Sequence, residues 1–142
     1  MDRIILGCDG STPTRIQTDS AGRLYAVPGF ESVVAGVKSN TSAAAGSNTL
    51  ASDAVPAGKV WVITHLAAFN DDNSVSGIRF QVVHDGNTIP VRYVGSVAAD
   101  VTAEWTGELY LDPSDTVQVI LDGCTLDDDI YFSYFGYQIE EP

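Results

Sequence analysis

The chain has 142 residues and a formal charge of −12, from 19 acids against 7 bases, and a chain of this size buries roughly 70% of its unfolded surface, enough for one core without disulfide staples. No Lys or Arg follows Arg92 while acids continue to Glu141, so the main domain repels phosphate backbones and direct nucleic-acid binding is excluded as an expectation. Cys8 and Cys124 have no zinc or thioredoxin spacing and read as two unrelated thiols; no secretory signal opens the chain, and no apolar run is long enough for a membrane span.

The first elements are three short strand-like pieces separated by Asp9-Gly10 and by the Asp19 to Gly22 stretch, residues that tolerate the positive φ of a chain reversal. None is long enough to build a sheet with a buried face, so residues 1–31 read as an extended N-terminal arm. Arg3, Arg15 and Arg23 nearly balance Asp2, Asp9, Asp19 and Glu31 in it. A Gly-x-Asp-Gly turn at Gly7 to Gly10, a short strand, and then Asp19-x-x-Gly22-Arg23-Leu24 resemble the N-terminal segments of tailed-bacteriophage virion proteins.

Between Val37 and Ala54 the side chains turn small and polar, which predicts a loop or weak edge strand that divides arm from domain. Val55-Pro-Ala-Gly58 then launches Lys59 to Phe69, the longest apolar run, rich in β-branched and aromatic residues and therefore a strand. Trp61, Ile63, Ala67 and Phe69 alternate with Val60, Val62, Leu66 and Ala68, so both faces of this strand need cover. Ile78, Phe80 and Val82 oppose Arg79 and Gln81 in a half-buried strand. Asp85-Gly86 signals a hairpin whose second strand carries Pro90 and so lies at or near an edge. Trp105, Gly107, Leu109 and Leu111 form the inward side of the next strand, against Glu104, Thr106, Glu108 and Tyr110. The Asp112 to Asp115 turn leads into Val117, Val119 and Leu121, and Asp129 to Ile139 closes the domain with apolar residues on both faces.

About eight strands at this spacing, with antiparallel turn signals and no helical period, predict an all-β fold: a jelly-roll-like antiparallel β-sandwich over residues 32–142, preceded by the arm. Leu111-Asp-Pro-Ser-Asp-Thr-Val117 resembles the leucine, Pro-Gly-Asp turn and valine before a late strand of many jelly rolls, with Ser114 where glycine is usual. Val55 to Trp61 carries the resemblance to the other end of the domain.

Catalytic motifs are missing from the sequence. His65 reads as a core or interface histidine and His84 as a solvated strand end. There is no nucleophile elbow, zinc-protease helix or phosphate loop, and Glu104 and Glu108 read as an exposed ladder, not a glycosidase pair. The Asp122, Asp127 to Asp129 group and the Asn70 to Asn73 group offer hard oxygen ligands but read as turns. No enzyme, cofactor or metal is therefore expected. The aromatics exceed what one thin core holds, which leaves a sugar platform or subunit packing, the latter favoured.

The resemblance to phage virion proteins implies a capsid decoration or cement protein on a virion assembled in the host cytoplasm. Its partners would be the major capsid protein or another virion protein and further copies of itself, a trimer by preference. Arg3, Ile4, Ile5, Leu6, Arg15, Arg23, Leu24, Tyr25 and Val27 are the expected partner-binding residues of the arm. Trp61, Phe69, Tyr131, Phe135 and Tyr137 are the expected oligomer contacts. A receptor- or carbohydrate-binding module of a phage tail or surface assembly is the alternative.

Overall fold

Side-chain alternation with a period of two governs this chain from Ser32 to Glu140, and the structure resolves it into two packed antiparallel sheets. The computed structural model describes residues 32–140 in full and, as backbone strands, residues 5–8, 13–18 and 24–26. These three short pieces are β1 (Ile5–Cys8), β2 (Pro13–Thr18) and β3 (Leu24–Ala26). They pair with one another in the order β1-β2-β3, with Ile5 opposite Ile16 and Gln17 opposite Tyr25. The region expected as an extended arm thus contains a small sheet of its own.

The sandwich has eight strands. They are β4 (Ser32–Ala43), β5 (Gly46–Ala51), β6 (Lys59–Asn70), β7 (Val75–His84), β8 (Asn87–Val97), β9 (Ala103–Leu111), β10 (Thr116–Cys124) and β11 (Asp128–Glu140). One sheet has the order β4-β11-β6-β9 and the other β5-β10-β7-β8. Successive strands alternate between the sheets except at the β7–β8 hairpin, as if one long antiparallel ladder, β4 to β7 against β11 to β8, had been rolled up. That is the jelly-roll arrangement.

The expected linker is corrected by this topology. Residues 32–43 and 46–51 are strands, and each lies at the edge of its sheet, where pairing is needed on one side only and small residues suffice. The edge-strand alternative holds, and the sandwich begins at Ser32.

The core lies between the sheets. Ile63, Leu66, Ile130 and Phe132 from one sheet meet Ile78, Phe80, Val119 and Leu121 from the other, all with no exposed surface. Asp85 (φ 48°) and Gly86 (φ 75°) form the reversal between β7 and β8, the left-handed pair a type I′ hairpin requires. Pro90 falls on β8, an edge strand as expected.

In β6 the alternation changes hands. Ile63 faces Gly136 while His65 faces Phe135, so Thr64 is an extra residue, a β-bulge. The inward side is therefore Trp61, Ile63, Leu66 and Ala68, and the two alternating sets read from the sequence are each split at Thr64.

Candidate interaction face

The outer faces of the two sheets differ in chemistry. On the β5-β10-β7-β8 sheet the outward side chains mix paired polar groups with Ile120, Val83 and the exposed ring of Tyr93. Arg79 donates to both carboxylate oxygens of Asp122 at 3.0 and 3.1 Å, Ser47 donates to the same carboxylate at 2.6 Å, and the Gln81 amide donates to Gln118 at 3.1 Å. These polar groups find their partners within the sheet.

The outer face of the β4-β11-β6-β9 sheet is more apolar, with a hydrogen bond from the Tyr110 hydroxyl to Glu108 at its β9 edge. Cross-strand register places Val33, Tyr137, Val62 and Tyr110 in one row; Ala35, Phe135, His65 and Thr106 in the next; and Val37, Ser133, Ala67 and Glu104 in a third. Phe69 and Tyr131 stack beside them, ring centres 4.9 Å apart and planes 16° from parallel. Across β4, β11 and β6 these rows contain no Asp, Glu, Lys or Arg, in a chain of net charge −12. Val33, Val37, Phe135 and Tyr110 are each at least half exposed.

Four of the five residues expected at a subunit contact, Phe69, Tyr131, Phe135 and Tyr137, share this face. Trp61 does not. It points into the core at 7% exposure, donates from Nε1 to Gln138 at 3.0 Å and stacks on Tyr134. Val33, Val37 and Tyr110 complete the face and were missed; the alternation of Val33, Ala35 and Val37 inside a stretch of small residues was the available signal. Of the expected partner-binding residues, Arg3, Ile4, Arg23 and Val27 lie outside the described residues. The backbones of Ile5, Leu6, Arg15, Leu24 and Tyr25 lie in β1 to β3, and their side chains lie outside the description.

Two polar corners flank the sandwich. At one, His84 at the end of β7 meets the turn that enters β10. Its Nδ1 lies 2.9 and 3.0 Å from the two oxygens of Asp115, which is 4% exposed, and Asp115 also accepts the Asp112 N–H at 3.0 Å. The hydrogen bond to Asp115, followed by the charge of the same carboxylate and of Asp85, raises the His84 pKa above 6.5. His84 is thus the partly exposed strand end expected, and it is also paired with a buried carboxylate.

The other corner joins the two Asp-rich segments that the sequence left separate. Buried Asp128 accepts from the Asn70 and Asn73 amides, each at 2.6 Å, and from the Thr125 N–H at 2.7 Å. Burial pushes the Asp128 carboxyl up, and these donors outweigh it and hold the pKa below 3.8. Asp71, hydrogen-bonded to Asp100 and repelled by Asp72 and Asp129, is shifted upward.

A concavity of about 520 Å³ opens between the β7 and β8 ends, lined by small residues such as Ser74, Ser76, Ser96 and Gly123. It presents no aromatic ring for a sugar to stack on. Glu104 and Glu108 stand exposed on edge strand β9, Glu108 accepting from the Tyr110 hydroxyl at 3.2 Å. Cys124 is a free, buried thiol whose pKa burial raises.

No family model matches the chain, and no curated protein matches it. Solved structures do match. A Bacteroides thetaiotaomicron chain described as an α-L-fucosidase is similar over 70% of this chain, at 15% identity and a TM-score of 0.45, and the match spans only 21% of that chain. A CBM4 structure is similar over 74% of this chain and 82% of its own, at 15% identity and a TM-score of 0.35. A structure of infectious bursal disease virus, Gt strain, is similar over 98% of this chain and 38% of its own, at 12% identity and a TM-score of 0.34. These are distant likenesses of the sandwich.

Proposed function

We propose that this chain is a non-enzymatic structural protein of a bacteriophage virion, a capsid decoration or cement protein that binds the head surface as a small homo-oligomer and stabilises it. The observation that carries the reading is the apolar outer face of the β4-β11-β6-β9 sheet, whose three central rows carry no charged side chain on β4, β11 and β6, on an otherwise acidic domain. Such a face needs a protein partner, while the acidic remainder keeps decorated particles apart. The segment 1–31 supplies attachment: β1 and β3 each pair only with β2 within their sheet, so each offers an edge for strand addition to a shell subunit.

Co-sedimentation with empty capsids tests this. The full chain should pellet with particles and raise their thermal disruption temperature, and a chain lacking residues 1–31 should stay folded and remain in the supernatant. Failure of the full chain to bind any capsid would overturn the reading.

The second reading is a carbohydrate-binding module, favoured by the exposed rings of Phe135 and Tyr110, at 50% and 63% exposure. A glycan array answers it directly: saturable binding that is lost in Phe135→Ala and Tyr110→Ala would replace the structural role.

A further inference from the structure

We infer that the outer face of the β4-β11-β6-β9 sheet is covered by the same face of a second copy, related by a two-fold axis that runs along the strands between β11 and β6. This deepens the reading of an oligomeric virion protein and specifies the contact, which is then isologous and closes as a dimer, not the trimer expected from the sequence.

Area, charge and register each support a second copy as the occupant. Four strands at about 4.8 Å and strand runs of about 30 Å give about 600 Å² on each copy, so a pair buries about 1,200 Å², the lower bound of stable specific interfaces. Flat sheet faces pack on one another at about 10 Å, as the two sheets of a sandwich do. Two chains of charge −12 approach best through surface without acids, and the outer rows of β4, β11 and β6 between Tyr131 and Tyr137 supply it, with Asp129 at their margin.

The remaining acids fix the choice of axis. Glu104 and Glu108 lie on the edge strand β9. An axis perpendicular to the strands would lay β9 on β9 and oppose these carboxylates. An axis along the strands lays β9 over β4 of the second copy, and β11 over its β6. Phe135 then packs on the second copy's His65, the stacked Phe69 and Tyr131 pair meets its own counterpart, and Val37 faces the second copy's Glu104, because Val37 and Glu104 occupy the same row across the sheet.

That last pairing makes the sign of a charge at position 37 decisive. Val37 is 71% exposed, so substitutions there leave the fold intact. Sedimentation velocity on the full chain, from 1 to 100 μM, should show a dimer. V37E should raise the dimer Kd at least 100-fold by opposing Glu104, while V37K should stay within about threefold of the parent, and all three proteins should melt alike when monomeric. A parent that is monomeric at 100 μM overturns the proposal, as does an oligomer indifferent to V37E. Equal weakening by V37E and V37K overturns the two-fold arrangement. A monomeric parent that dimerises only after deletion of residues 1–31 shows that this segment, not a second copy, covers the face. Capsid binding is scored separately, so a monomer that still pellets with particles defeats the dimer and leaves the virion role standing.

Discussion

Gly136 on β11 and Val62 on β6 lie so close that a β-carbon on the glycine would overlap the Val62 carbonyl oxygen. The contact sits where Thr64 bulges out of register, and the bulge needs that close approach of the two backbones. Gly136→Ala should cost at least about 3 kcal/mol, because the obstruction is backbone and cannot rotate away. A fall in melting temperature of about 10 °C is expected. Gly95→Ala is the control, since a β-carbon there meets nothing nearer than the Tyr93 ring at 3.6 Å, and it should change little.

Ser114 adopts φ 76° in the turn between Asp112 and Asp115, the third position of a turn closed by the Asp115 N–H donating to the Asp112 carbonyl at 3.1 Å. A left-handed conformation costs a non-glycine residue about 1–2 kcal/mol, and glycine gives back part of that in unfolded-state entropy. Ser114→Gly should therefore stabilise the fold by about 0.5–1 kcal/mol in urea titrations. A destabilised variant would mean that the serine hydroxyl has a role of its own.

The His84–Asp115 pair sets a pH dependence of known sign. Because the folded-state pKa of His84 is raised above 6.5, its stabilisation is complete below that value and is lost as pH rises through the raised pKa. The difference in melting temperature between the parent and His84→Asn should be largest below pH 6.5 and should shrink toward alkaline pH. A difference that widened with pH would reverse the assignment.

Phe80 has no exposed surface, Trp105 is half-buried against the core, and Glu104 is exposed. Replacement by Ala should cost about 3–5 kcal/mol at Phe80, about 2 kcal/mol at Trp105 and less than about 0.5 kcal/mol at Glu104. Trp105 costs less than a fully buried ring because β9 is an edge strand and solvent already reaches part of the indole. Calorimetry that ranked Trp105 above Phe80 would contradict the burial described.

What was legible in the sequence follows from the range of the interactions involved. Ile78, Phe80 and Val82 against Arg79 and Gln81 is a local alternation, and it survives folding unchanged. The Asp85-Gly86 hairpin is equally local. The inversion in β6 was not legible, because the bulge at Thr64 shows only in the pairing with Phe135 and Gly136, about seventy residues away in sequence. Residues 37–54 misled for a related reason. Small side chains suggest a linker, but an edge strand borrows its stability from the neighbour it pairs with, here β11 for β4 and β10 for β5. His84 and Asp115 are individually unremarkable, and their pairing exists only once β7 and β10 lie side by side.

The position of β11 between β4 and β6 also has a consequence for how the domain is made. The strand that fills the middle of its sheet is the last of the eight in chain order, and it pairs with β4, the first. Neither of its neighbours has a partner on that side until it arrives, so a nascent domain lacking Asp128–Glu140 cannot close this sheet however long the ribosome pauses. Folding must wait for the whole domain, slowly for a chain dominated by distant pairings. During that interval the apolar run of β6 is open to solvent, where a chaperone or an aggregate would compete for it.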